Sequence, residues 1–485
     1  MNFSVIKRTI GYILLFESVF FFVPMITAAC YWEKEFFSFL ICSGICDALG
    51  GLCMLGKSKR LDFYAKEGFV TVALSWIVIS IFGSLPFIIS GAIPNFIDAL
   101  FETVSGFTTT GSTILTGERV DGMAKSLLIW RSFTHWVGGM GVLVLMMAIF
   151  PTDTGRTIHI MRAEMPGPII GKLVPKIKST AKILYLIYIV LTATEALFLL
   201  LGGMSPFESI VYSLGTAGTG GFGIKSDGLA SYTPYQQWVI TVFMVIFGIN
   251  FNLYYLVLTK KVRSALKSEE LWFYLTIVAT ATVLITVNIY DMYGNTSDAL
   301  RNSAFQVASL ISTTGYATAD FNLWPTFSKG ILFLLMFTGA CAGSTAGGLK
   351  LSRVILLFKS VRSNLKHMLH TRSVESIRFE GKKVDNATIT NVASYFALYM
   401  LCIAVILLLL CLEPFDLETN ISAAVSCFNN IGPGFSSVGP MSSYAEYSDF
   451  AKLVLSCAML LGRLEIYPML LMFSPTVWRN RIVRS

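Results

Sequence analysis

Charge is scarce in this chain. Asp, Glu, Lys and Arg make up 14% of its 485 residues, where soluble domains carry about 25%. Hydrophobic residues fill 54% and the mean hydropathy is +0.67, which excludes a water-soluble globule. Histidine is rarer still, with only His135, His159, His367 and His370, and their spacing is unlike that of a metal centre. The nine cysteines (Cys30, Cys42, Cys46, Cys53, Cys341, Cys402, Cys411, Cys427, Cys457) lie in or beside apolar stretches without paired metal-type spacing. They read as small buried hydrophobes. Gly218, Gly220 and Gly223 spell GxGxxG, but that motif signals a dinucleotide only between a strand and a helix. Here it falls between two apolar runs. The expectation is a protein that binds no nucleotide and is not an enzyme.

Long apolar runs take the place of charge, at 9–31, 36–55, 68–89, 126–150, 181–201 and 391–412. About 20 apolar residues in a helix cross a hydrocarbon core, so the chain is an all-α integral membrane protein. The first run follows Lys7 and Arg8 but is too long for the apolar stretch of a signal peptide, so it is read as a retained helix. The net charge of +8 is concentrated in segments 57–66, 156–182, 260–267, 353–383 and 479–484. These fall on one side if the chain starts inside and crosses at each run. The other side keeps only scattered cations such as Lys34, Arg119, Lys225 and Arg301. That asymmetry is the positive-inside pattern. It places both termini in the cytoplasm and gives the basic charge a membrane role, with no nucleic acid as partner.

After two leading helices, one pattern recurs four times: a long apolar helix, a short semi-polar segment, a Gly/Thr-rich stretch and a second long helix. The Gly-rich stretches are FTTTGST (107–113), GTAGTGGF (215–222), LISTTGYA (310–317) and FNNIGPGF (428–435). The segments before them, 96–106, 206–214, 298–309 and 417–427, are too short to span and fit re-entrant helices. A small residue precedes each candidate glycine by six positions: Ser105/Gly111, Gly215/Gly221, Ser309/Gly315 and Ser426/Gly432. In the second copy Gly220 competes with Gly221, which is preferred because Phe222 then matches Tyr316. Gly138, Gly248, Gly339 and Gly462 fall near the middle of the four following helices. The expected architecture is four helix–pore loop–helix repeats around one pseudo-fourfold pore, about ten spans in all. The divisions are 1–60 (leading helices), 61–150, 151–260, 261–360 and 361–485, with basic cytoplasmic loops opening the second and fourth repeats.

Non-helical backbone at membrane depth persists only where it is buried in protein or lines a wet cavity. Glycine lets such a loop adopt positive φ and aim successive carbonyls inward, and rings of carbonyls can replace an ion's hydration shell. Hydroxyls at 108–110, Thr313 and Thr314 add oxygen ligands. A short helix aiming its C-terminal end at the loop adds about half a negative charge. Together these favour a desolvated monovalent cation. The competing account is that the glycines merely permit close helix packing; four clusters at matched positions weigh against it.

Three further strings, MRAEMPGP (161–168), TGACAGSTAGGLK (338–350) and LLGRLEIYP (460–468), give the chain a family likeness. It resembles the superfamily of K⁺ transporters that includes TrkH, TrkG, KtrB and the plant HKT proteins, and within it the TrkH/TrkG branch, over essentially its whole length. The resemblance implies a homodimer with one pore per subunit in a bacterial inner membrane. It also implies K⁺ as the transported ion and a separate cytosolic nucleotide-binding regulator resembling TrkA. Carried residue by residue, the filter becomes Thr109, Thr110, Gly111; Thr219, Gly220, Gly221; Thr313, Thr314, Gly315; and Asn430, Ile431, Gly432. Four glycines are the combination tied to K⁺ preference. The fourth loop departs with Pro433, and the loops differ markedly from one another, so some sodium passage is compatible with the pattern. The same architecture also admits a symporter coupling K⁺ to H⁺ or Na⁺.

Two residue sets are candidate gates. Glycines at 339, 343, 347 and 348, with Ser344 among them, are too many for a continuous helix and imply a loop beneath the filter, or else a packed kink. Arg463 lies mid-span, where a charge costs a few kcal/mol unless it faces water or a partner. It is either a barrier to cations or an ion-pair partner of Glu465 or another acid. Glu17, Asp47 and Glu195 within spans are either coupling sites or interhelical hydrogen-bonding groups. Asp98, Glu102, Asp227 and Asp320 either concentrate cations at the outer mouth or are ordinary surface charge.

Overall fold

The computed structural model describes residues 3–55, 65–141, 177–370 and 376–478. His159, the string at 161–168, most of the basic segments at 57–66 and 156–182, and the C-terminal arginines lie outside the described residues.

The two leading helices come first. Phe3–Phe20 and Phe22–Tyr31 make one span bent at Phe21, and Glu35–Met54 packs back against it. Four repeats follow. Their first helices are Ala65–Ile89, Ile177–Leu201, Glu269–Tyr293 and Asn386–Leu410, each 25 residues long. At 1.5 Å per residue this is about 37 Å, enough to cross a bilayer core of about 30 Å. Their outer faces stay apolar and uncovered, as at Leu401, Leu408, Val283 and Val287.

The second helices are shorter. Lys125–Gly139, Pro234–Phe247, Thr326–Thr338 and Asp449–Arg463 have only 15, 14, 13 and 15 residues, and each stops at or beside the glycine noted in the sequence. A Cβ on Gly138 would collide with the carbonyl oxygen of Phe107, and one on Gly462 with that of Phe428. Those are the last residues of the pore helices in the same repeats, so glycine lets the descending helix touch the end of its own pore helix. Beyond the break the chain turns: Phe251–Leu258 lies at 88° to Pro234–Phe247. Among the described residues, six helices are long and apolar enough to cross a membrane, or seven if that bent pair is one span. The six are the leading pair and the four first helices; the expected count of about ten adds the four shorter second helices.

The pore helices are Phe96–Phe107, Pro206–Gly218, Thr296–Ile311 and Leu417–Phe428. They share one start signal. Asn95, Ser205 and Asn295 accept first-turn backbone N–H groups, and Asp416 opens the fourth helix in extended backbone. Asp98, Glu208, Asp298 and Glu418 occupy the first turns, where the helix dipole favours an anion. A two-stranded hairpin, Arg378–Phe379 against Lys382–Lys383, follows the long helix Leu351–Leu369.

Candidate functional site

Every pore helix ends in the same way. Thr109, Thr219, Thr313 and Asn430, each two residues before the loop glycine, take left-handed backbone with φ of 57°, 55°, 57° and 56°. Each donates its N–H to the carbonyl three residues back. The next N–H reaches the small residue five back: Thr110 to Ser105, Gly220 to Gly215, Thr314 to Ser309 and Ile431 to Ser426, at 2.8–3.0 Å. This paired bonding is a Schellman cap, built four times. The six-residue spacing visible in the sequence is the span of that cap.

Gly111, Gly221, Gly315 and Gly432 follow with φ of 80°, 77°, 83° and 107°; Gly220 has no positive φ. A Cβ on Gly111 would sit under 3.0 Å from the carbonyl oxygen of Gly220, and one on Gly221 equally close to that of Thr314. From Gly315 the clash is with Ile431, and from Gly432 with Thr110. Loop 1 therefore touches loop 2, loop 2 touches loop 3, loop 3 touches loop 4, and loop 4 returns to loop 1. The ring is closed. All four glycines line the floor of one cavity of about 470 Å³, whose charged lining residues are Arg131, Lys225 and Glu446.

Beneath the ring lies the segment 339–350, which joins Thr326–Thr338 to Leu351–Leu369. Gly339, Gly343 and Gly348 hold φ of 64°, 77° and 75°, so the segment stays unwound. Its backbone finds partners in the break of the second repeat. Cys341 N–H donates to the Gly248 carbonyl, and Phe251 N–H donates to that of Gly343. Ser344 turns its hydroxyl to the Cys341 carbonyl at 2.7 Å. Gly347 reaches the ring itself, donating its N–H to the Thr313 hydroxyl at 2.8 Å. A side chain there would collide with the Asn429 carbonyl.

Arg463 meets the same segment from the other side. It donates to the Thr345 carbonyl at 3.1 Å, to Gly139 at 2.8 Å and to the carbonyl of Gly138, and lies over Trp76. Glu465, which the sequence left open as its partner, instead pairs with Arg353. Two residues that hold this segment escaped the sequence reading. Lys350 donates to the Ala346 carbonyl at 2.6 Å. Glu270 accepts the N–H groups of Ala342 and Ser352 at 2.8 and 3.1 Å, tying both ends of the segment to the start of the third repeat's first helix. In sequence it looks like an ordinary first-turn acid, with no local signal of that reach.

A family model described as TrkH, cation transport protein, matches residues 35–480. The chain belongs to the TrkH family. This TrkH-family chain is 33% identical to the Trk system potassium uptake protein TrkH of Escherichia coli K12 over 99% of its own length and 100% of the relative's. It is 32% identical to TrkG of the same organism, covering 98% and 99%. It also superposes on the crystal structure of the potassium transporter TrkH from Vibrio parahaemolyticus with a TM-score of 0.89. That match has 31% identity and covers 99% and 100% of the two chains. The family is one of transporters, not enzymes.

Most of the remaining candidate acids of this TrkH-family chain are engaged by neighbouring side chains or backbone. Asp98 pairs with Lys452 at 2.7 Å and Glu102 with Arg131 at 2.8 Å. Asp227 and Asp320 accept nearby backbone N–H groups. None of the four lines the outer cavity. Asp47 accepts the Ser18 hydroxyl at 2.6 Å, an interhelical bond. Glu17 and Glu195 are fully buried.

Proposed function

We propose that the chain takes up K⁺ across a bacterial inner membrane through the ring of four loops. The observation that carries this reading is the closed cycle of glycine-to-carbonyl contacts, made by loops of identical backbone design around one cavity. Backbone oxygens of Thr109–Gly111 and their counterparts in the other loops replace the ion's water, while the pore-helix C-terminal ends favour positive charge. The relatives carry potassium uptake in their names, which supports K⁺ as the ion. The segment holding Gly339, Gly343, Ser344, Gly347 and Gly348 acts with Arg463 as the gate. Its hydrogen bond to Thr313 supports a position across the exit of the ring, where a fixed guanidinium repels cations strongly because low-dielectric walls screen poorly.

The homodimer and a cytosolic TrkA-like nucleotide-binding regulator rest on the family resemblance. The regulator's docking side is the basic face that includes Leu351–Leu369, continuous in sequence with the gate. Both termini lie on that side.

The test is K⁺ and Na⁺ flux into liposomes carrying purified protein. Gly111→Ser and Gly221→Ser should lower the K⁺/Na⁺ ratio, and Gly432→Ser should do so least, since its Cβ would stand 2.7 Å from Thr110 O and the others nearer their neighbours. Unchanged ratios in well-folded variants would remove these loops from the filter. The reversal potential under an imposed H⁺ or Na⁺ gradient separates uncoupled passage from symport.

A further inference from the structure

The four seams of the ring are not alike, and the seam between loops 1 and 2 is braced from behind. Arg131 and His135 stand one turn apart on Lys125–Gly139, which puts both side chains on one face. The Glu102 carboxylate, on the first pore helix, takes the outer limb of loop 1. It accepts the Thr113 hydroxyl at 2.9 Å and the Ile114 N–H at 3.0 Å. Arg131 binds that carboxylate through Nε at 2.8 Å and donates Nη1 to the Gly223 carbonyl at 3.0 Å. Its guanidinium also lies 4.1 Å from the centre of the Phe222 ring. The pair is thus a buried bridge, 2% and 0% exposed at its side chains, from loop 1 to loop 2.

His135 makes a second rung. Phe222 N–H donates to Nε2 at 3.3 Å, so Nε2 carries the lone pair and the proton sits on Nδ1. Nδ1 then donates to the Gly106 carbonyl at 2.8 Å, one of the acceptors of the first Schellman cap. A Cβ on Gly220 would run into the imidazole ring, so loop 2 rests directly on it. Counting back seven and three residues from the breaking glycine gives the counterparts in the other repeats: Thr241 and Val245, Leu332 and Met336, Leu455 and Met459. None of these can join a carboxylate to a carbonyl. The brace belongs to one seam.

We infer that Glu102, Arg131 and His135 are positioning residues that fix the spacing of loops 1 and 2 and so set ion preference. The inference rests on the four loops being the ion filter. A buried ion pair is weak evidence of net stability, whereas the hydrogen bonds here tie the backbone of loops 1 and 2 to the same helix.

The experiment compares K⁺/Na⁺ flux ratios in liposomes for His135→Leu, His135→Gln and the double variant Glu102→Gln/Arg131→Met, with Gly111→Ser as the filter reference. His135→Leu keeps bulk but loses both of the imidazole's hydrogen bonds, and is expected to lower the ratio about fivefold, the size of one net hydrogen bond. Gln can still accept and donate, and should restore most of it; a merely structural histidine would show no such rescue. If His135→Leu fails to fold, the double variant carries the test. It removes the Arg131 bridge without stranding a charge, and the ratio should fall similarly. Unchanged ratios in the brace variants, with Gly111→Ser still effective, overturn the brace and leave the filter standing. An ineffective Gly111→Ser as well overturns both.

Discussion

Thr313 meets two demands. It holds left-handed backbone at the end of its pore helix, and its hydroxyl accepts the N–H of Gly347 from the segment below. Thr219 has the same backbone but spends its hydroxyl on the Gly218 carbonyl beside it. Replacing each by glycine separates the roles. Both changes relieve backbone strain of about 1 kcal/mol, but Thr313→Gly also strands a buried N–H, which costs about 1–3 kcal/mol. Thr313→Gly should therefore raise flux without the regulator, and Thr219→Gly should not; equal basal flux in the two would detach the lower segment from gating. Arg463→Ala should increase cation flux several-fold while leaving the K⁺/Na⁺ ratio nearly intact, because the proposed function assigns selection to the ring. Arg463→Lys keeps the charge and should keep most of the barrier. Should both variants lose folding, Arg463 is a structural clasp for Gly138, Gly139 and Thr345, and the electrostatic gate is wrong. At this scale the ring glycines were legible, since positive φ selects for glycine. The left-handed threonines were not. Threonine disfavours that conformation, and only the surrounding packing imposes it.

Among the elements, the second helices carry the less legible information. Their glycines were visible at matched positions, but a hydropathy pattern does not say that the helix stops there. The stop depends on contact with the pore-helix carbonyls of Phe107 and Phe428, which are distant in sequence from Gly138 and Gly462. The segment 339–350 is held by comparably long-range bonds. Glu270 anchors both of its ends, so Glu270→Ala leaves two backbone N–H groups without their acceptor, at about 1–3 kcal/mol each. The expected outcome is a lower melting temperature in detergent together with raised regulator-free flux. Deleting 343–347 should give the flux effect alone with ion preference unchanged. Reduced flux at full expression of the deletion would mean that the segment supports the ring and does not obstruct it.

For the whole molecule, the order of long and short helices fixes a topology that can be checked chemically. Cys411 is exposed just beyond the end of Asn386–Leu410, on the side where the pore helices begin. Lys382 sits on the hairpin at the opposite side. In a background with Cys30→Ser, a membrane-impermeant maleimide should label Cys411 from outside intact cells. A cysteine introduced at Lys382, with Cys411→Ser, should label only after the membrane is opened. The reverse pattern would invert the orientation read from the basic loops. That orientation is an expectation drawn from charge counts summed over whole loops. The brace between loops 1 and 2 was not legible in the sequence, because it links Glu102, Arg131 and Gly223 across two repeats.

The closed ring of loops is written in one polypeptide, and this sets how its preference can change over generations. In a pore assembled from four copies of one subunit, a single codon change alters every quadrant together. Here one codon moves one quadrant, with three left as they were. Thr109, Thr219 and Thr313 beside Asn430, and Pro433 in the fourth loop alone, are differences that a ring built in one chain can take up one quadrant at a time. Under the proposed function, a lineage built this way can move between potassium and sodium in small increments, with three loops of the ring unchanged at each step.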